Sequence, residues 1–234
     1  MRFWEIDFAR GIAVILMLIF HLFFDAYYFG KIKLEGDFWF WFPRFIGGMF
    51  IFISGFTFSI VYKNFKPVLR RTLKLLLIAL GITLATFIFA PDKMVIFGII
   101  HFFALSSFLG FAFIGKPFLS LSVGILFLIA NFKVSELLIK EPYLVWLGIM
   151  PYGFRTLDYY PMIPWFGVFL LGMFFGSYYR RESSNYWSNP ISFLGRHSLA
   201  IYLLQHPVIV LLLQLYYGDI LNELFYLFSR SAFS

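Results

Sequence analysis

Apolar residues run along this chain in long blocks, and polar residues are confined mostly to short gaps between them. The blocks lie at 8 to 24, 38 to 61, 73 to 90, 94 to 114, 117 to 132, 162 to 179 and 194 to 217. Each approaches the roughly 20 apolar residues that a helix needs to cross a hydrocarbon layer about 30 Å thick. The pattern predicts an all-α fold, a polytopic integral membrane helical bundle of about seven transmembrane helices. The stretch "YLVWLGIM" at 143 to 150 is too short to cross and lies between Pro142 and Pro151. It reads as a re-entrant or interfacial piece, with an eighth span left open there. No internal repeat, low-complexity tail or soluble domain breaks the series, so residues 1–234 read as one transmembrane domain. Apolar segments recur to the C-terminus, unlike a signal peptide followed by a polar mature chain.

Composition sharpens this picture. Hydrophobic residues make up 61% of the chain and charged residues 13%, far from the balance of a soluble domain. The absence of cysteine removes thiolate nucleophiles, thiolate metal sites and disulfides. The net charge of +7 could suggest nucleic acid, but the basic residues sit in short gaps between apolar blocks, with no domain to hold a duplex. That charge is better read as a topology signal. "YKNFKPVLRRTLK" at 62 to 74 has five basic residues and no acidic one, and "YYRRE" at 178 to 182 is also net basic. Placing both in the cytoplasm puts Arg2, Lys116 and the N-terminus inside, and leaves "KIKLEGD" and "KVSELLIKE" outside. The expected location is the cell membrane, with multiple passes.

The first block carries an unusual set of charges. On a helix turning about 100° per residue, Asp7, Arg10, His21 and Asp25 fall within an arc of roughly 60°. Arg10 and His21 lie roughly 16 Å apart along that stripe. Arginine cannot shed its proton and is costly in lipid, so the stripe should face a bundle interior or a wet cavity. Asp7, one turn before Arg10, is its local counter-charge. Asp25, one turn after His21, could accept a proton from one imidazole nitrogen and make the other a better base. Anchoring at the two interfaces is the plainer reading of the same residues.

This helix also carries a resemblance. "DFARGIAVILMLIFHL" resembles the first-helix motif of membrane acyltransferase family 3, in which an arginine is followed, after ten residues, by a histidine. The chain as a whole resembles the prokaryotic proteins grouped with the catalytic domain of heparan-α-glucosaminide N-acetyltransferase. The segments carrying that likeness are "WEIDFARGIAVILMLIFHLFFD", "FPRFIGGMFIFISGFTFS", "FGIIHFFALSSFLG", "YYPMIPWFGVFLLGMFFG" and "LGRHSLAIYLLQHPVI". They cover about half the chain and run through its length. The resemblance implies transfer of an acetyl or other acyl group from acetyl-CoA, or another acyl-CoA, to an amino or hydroxyl group of a sugar or envelope glycan. It implies no tightly bound cofactor, a catalytic role for His21 and acyl-donor contact for Arg10. In the lysosomal enzyme the proposed catalytic histidine lies in the loop after the first helix, and "YYFGKIKLEGDFWF" has none. The histidine assignment therefore comes through family 3, and the lysosomal acceptor does not transfer with it.

The remaining candidates are scattered. His101 lies inside the fourth block, where an ionisable group is a functional candidate by default, although a carbonyl on a neighbouring helix could satisfy it. "LGRHSLAIYLLQHP" supplies Arg196, suited to coenzyme A phosphates or lipid head groups, together with His197, Gln205 and His206. His197 and His206 are about half a turn out of phase, and His206 is favoured because it precedes Pro207. Arg155 and Asp158 sit in a Tyr- and Pro-rich segment that suits either a sugar or an interfacial aromatic belt. Arg44 follows Pro43 at the start of the second block. Four dispersed histidines without a paired motif argue against a metal.

On this reading His21, oriented by Asp25, deprotonates the acceptor as it attacks the acyl carbon, with Arg10, Asp7 and Arg196 toward the donor. An acyl-histidine intermediate is the variant route. Acyl-CoA, a glycan acceptor and the lipid bilayer are the expected partners, without nucleic acid, and a homo-oligomer is left open. The competing class is a transporter whose Arg, His and Asp form an intramembrane pathway; the lack of paired halves argues against it.

Overall fold

The computed structural model describes residues 3–180 and 189–224. It is a helical membrane bundle, as the hydropathy pattern predicts. Among the described residues the α-helices are α1 (Trp4–Tyr28), α2 (Phe38–Val61), α3 (Phe65–Phe89), α4 (Ile99–Gly110), α5 (Pro117–Val134), α6 (Met162–Ser177), α7 (Pro190–Arg196) and α8 (Ser198–Tyr217). Five of them, α1, α2, α3, α5 and α8, are long and apolar enough to cross a bilayer, and the regions of α4 and α6 form two shorter apolar helices. The only sheet among the described residues is a parallel pair of two-residue strands, β1 (Leu138–Ile139) and β2 (Met150–Pro151).

Two boundaries differ informatively from the hydropathy blocks, and the short stretch at 143 to 150 behaves as its length predicts. Helix α3 begins at Phe65 rather than near 73, because long basic side chains can occupy the first turns of a membrane helix with their charges at the boundary. The helix expected from 194 to 217 is two helices, with His197 between them at φ −103° and ψ 13°. The stretch 143 to 150 forms no spanning helix. A 3₁₀ turn at Pro142–Leu144 leads through turns to β2, burying Val145 and Ile149. Arg2 and the Arg181–Glu182 end of the second basic segment lie outside the described residues.

The chain packs as two compact units, residues 1–50 with 182–234, and residues 51–181. In the first unit α1 lies against α7 and α8. Its backbone meets that of α7 at two reciprocal glycines: a Cβ on Gly11 would strike the Ile191 carbonyl, and one on Gly195 the Asp7 carbonyl. Such contacts let membrane helices gain dispersion energy where lipid offers no hydrophobic drive between helices. Val14, Met17 and Ile46 form one apolar cluster, edged by Leu194 and Ile201. Ala26 and Phe29 form another with Ile209, Leu213 and Ile220.

The second unit repeats the device. A Cβ on Gly167 of α6 would come within 2.7 Å of the Gly124 carbonyl of α5. Gly172 and Gly176 of α6 similarly abut the carbonyls of Phe52 and Phe56, and Gly55 abuts that of Phe169. Phe58, Phe102, Phe166 and Phe169 fill the buried interior, with the Phe58 and Phe169 rings 5.6 Å apart.

Replacing Gly11 or Gly195 with valine inserts atoms where a backbone carbonyl already stands. Each variant should lose at least about 1–3 kcal/mol, the usual cost of overpacking. Thermal denaturation in detergent tests this; unchanged midpoints would show that α1 and α7 do not approach at these positions.

Candidate functional site

The charged stripe of α1 exists as the sequence implies, and its two ends have different surroundings. At one end the Arg10 guanidinium lies 3.8 Å from the carboxylate of buried Asp7. Arg196 ends α7, with its guanidinium carbon 5.6 Å from the Phe193 ring centre.

At the other end α8 completes a cluster that the stripe only begins. The Asp25 carboxylate is buried and reaches Nδ1 of His206 with both oxygens, at 2.9 and 3.2 Å. The His206 ring stands edge-on to His21, with centroids 4.7 Å apart and planes at 76°. One donor atom from each of His21, Asp25 and His206 can be chosen so that all lie within 4.8 Å of one another. His21 is flanked by Phe20 and Phe24, and its Nδ1 is buried with no hydrogen-bond partner among the described residues. The expected pairing is therefore corrected: Asp25 holds His206, and not His21. A carboxylate one helical turn from a histidine is near it in backbone terms, but the facing helix offers a ring that Asp25 meets with both oxygens.

Local packing explains why the two helices meet there. His206, Ile209 and Leu213 follow an i, i+3, i+7 pattern on α8, and Ile209 and Leu213 pack with Ala26 and Phe29, just beyond Asp25. Pro207 lies inside α8 without ending it. Beyond the helix ends, Lys31 donates to Asp219 and Glu223, both at 2.7 Å. Gln205, next to His206, is buried, with neither amide atom hydrogen-bonded among the described residues.

Other sequence candidates have structural occupations. His101 Nδ1 accepts the Gly98 N–H at 3.3 Å, closing the first turn of α4. Because the Thr83 hydroxyl donates to the Val95 carbonyl, its oxygen is left to accept from His101 Nε2–H at 3.0 Å. His101 is thus neutral in this arrangement, and both ring nitrogens are used. Asp158 accepts the Ile99 N–H at 2.8 Å and caps the same helix, while Arg155 is exposed in the preceding loop. His197 is exposed; its Nδ1 lies 2.9 Å from the Phe193 carbonyl. Arg44 donates to the carbonyl of Phe40 at 2.6 Å and lies over its ring.

Arg71 is a residue that sequence reasoning treated only as a topology charge. Its Nε donates to Ser107 at 3.0 Å and a terminal nitrogen to Ser54 at 3.1 Å. The missed signal is the helical pattern itself, which can be extended back from 73 through the basic residues to Phe65.

Comparison with known families identifies one match. The model for heparan-alpha-glucosaminide N-acetyltransferase, catalytic, covers residues 2–207. No curated protein and no solved structure matches the chain.

The hydrogen bonds to Asp219 and then Glu223 hold Lys31 protonated above the ordinary lysine range. A raised folded-state value means that the contribution is complete below the unfolded value, about 10.4, and fades as pH rises through the folded one. The stability gap between the native chain and Lys31→Met should therefore be constant near neutrality and close only above about pH 10.4. Denaturation midpoints across pH 7–11 check this. A gap that closes near pH 8 would contradict the double ion pair.

Proposed function

The chain belongs to the catalytic family of heparan-α-glucosaminide N-acetyltransferase, and from that premise we propose that it is a membrane acetyltransferase using acetyl-CoA or a related acyl-CoA. The acceptor is an amino or hydroxyl group on a sugar or envelope glycan. The observation that carries the catalytic assignment is the bond between Asp25 and His206, with His21 edge-on beside it.

His206 Nδ1–H donating to the Asp25 carboxylate leaves Nε2 with its lone pair, the tautomer of a general base. The acceptor N–H or O–H gives its proton to that nitrogen as the acceptor atom attacks the thioester carbonyl. A C–N or C–O bond forms, the C–S bond breaks, and coenzyme A leaves as a thiolate that takes a proton back. Asp25 fixes the ring and stabilises the imidazolium, so it acts as a positioning residue. His21 is the second catalytic group. Its buried Nδ1, without a hydrogen-bond partner among the described residues, is available to hydrogen-bond the reacting acyl oxygen or to exchange the transferred proton. Phe20 and Phe24 flank the His21 ring and lower the dielectric on that side of the site.

Arg10, supported by Asp7, and Arg196 are assigned to the acyl donor, because guanidinium groups match phosphate oxygens. The net-basic segment 62–74 favours a cytoplasmic N-terminus and donor entry from that side of the cell membrane. Family 3 motif spacing, Arg10 followed by His21, supports the same orientation of donor and base along α1.

Transfer of a labelled acetyl group from acetyl-CoA to glucosamine and related acceptors, using protein in detergent or liposomes, tests the reading. His206→Ala and His21→Ala should each lower turnover about 10²–10⁴-fold, the range for general acid–base groups. Asp25→Asn should reduce turnover and shift the pH profile without abolishing donor binding, and Arg10→Ala should weaken acetyl-CoA binding in calorimetry. Near-normal transfer by either histidine variant would overturn the mechanism. No transfer and no acyl-CoA binding by folded wild-type protein would overturn the function.

A further inference from the structure

The cluster that supplies the proton acceptor also has the composition of a metal site. His21 and Asp25 are four residues apart on one helix, so their side chains rise on the same face one turn apart. His206 approaches from α8, and the three potential ligand atoms lie within 4.8 Å. Donors bound about 2.1 Å from a tetrahedral centre stand about 3.4 Å apart. Closing the set thus takes side-chain movements of about an ångström, which the exposed His206 side chain can make by rotating.

The donor types select the ion. Two imidazoles and one carboxylate favour zinc, cobalt, nickel or copper over magnesium or calcium, which prefer cages of oxygen. Three protein ligands leave a fourth tetrahedral position for a small exogenous ligand. One further observation points to a polar guest. His21 Nδ1 is buried without a partner among the described residues. Buried polar groups are ordinarily satisfied, so an idle imidazole nitrogen beside two other potential ligands marks a place where something else binds. Phe20 and Phe24 supply an apolar flank on the His21 side of the set.

We propose that His21, Asp25 and His206 form a binding site for a divalent transition-metal ion of the zinc class, and that filling it withdraws the imidazole lone pairs used in acyl transfer. The second half rests on the acyltransferase reading; the first does not. Metal binding competes with protons for the same nitrogens, so occupancy falls as pH drops below the histidine range. The groups facing the imidazoles are Asp25 from α1 and each ring for the other; a metal satisfies all three without leaving an unpaired carboxylate.

The probes are Zn²⁺ in calorimetry and Co²⁺ in visible absorption, added to the chelator-stripped chain in detergent. The expected result is one ion per chain, with Co²⁺ giving the intense bands of a four-coordinate site. His21→Gln and His206→Gln should each weaken binding at least tenfold, Asp25→Asn less, and His197→Gln not at all. Circular dichroism and thermal denaturation establish that each variant is folded. If one histidine variant fails to fold, the other carries the comparison. No binding by wild-type protein, or binding that survives loss of both histidines, overturns the site. Acetyl-CoA binding and transfer by metal-free protein are measured in parallel. Their absence would count against the acyltransferase reading while leaving the ion site standing, and full transfer at saturating Zn²⁺ would overturn the competition.

Discussion

A buried carboxylate on an apolar helix needs a partner, and Asp25 finds it in His206. That single contact fixes more than one side chain. It sets the rotation of α1, because the stripe from Asp7 to Asp25 then has only one face. It sets the height of α8 as well, since Ile209 and Leu213 must meet Ala26 and Phe29 for His206 to reach. Burying a charged acceptor without a donor costs far more than forming the bond returns, so the contact acts chiefly by excluding alternatives. A one-residue slip of α8 would turn His206 about 100° away and leave Asp25 in an apolar wall.

Close packing makes this economy of polar contacts workable. Gly11 and Gly195 bring α1 and α7 to backbone distance, and Gly55, Gly124, Gly167, Gly172 and Gly176 do the same within the second unit. Polar side chains held near the helices are then restricted to a few orientations. His101 illustrates the structural use of that restriction: threonines at 83 and 86, the Val95 backbone and the Gly98 amide together end α3 and start α4. His21 shows the opposite case, a ring with a buried nitrogen that the described protein atoms do not use.

Much of this is legible in the amino-acid sequence. Apolar run length predicts the helices, and helical periodicity places Asp7, Arg10, His21 and Asp25 on one stripe. Both signals are local. The partner of Asp25 is not, because His206 lies 181 positions away and no short-range rule selects it from four histidines. The break at His197 was hidden because "GRHS" contains no proline and hydropathy continues across it. The early start of α3 was hidden for the opposite reason: its first turns are basic, so a hydropathy threshold excludes residues that the helix includes. His101 and Asp158 were visible as unusual residues, but only tertiary hydrogen bonds reveal that they serve a helix end.

The first unit draws its helices from both ends of the sequence, and this bears on how the chain is made. Synthesis at about 5–20 residues per second separates the emergence of Asp25 from that of His206 by roughly 10–40 s. During that interval α1 can enter the membrane, but its carboxylate has no imidazole to meet. Assembly of the site consequently waits for α8, and a chain truncated before α8 would carry every residue of the α1 stripe without the arrangement that gives the stripe its chemistry.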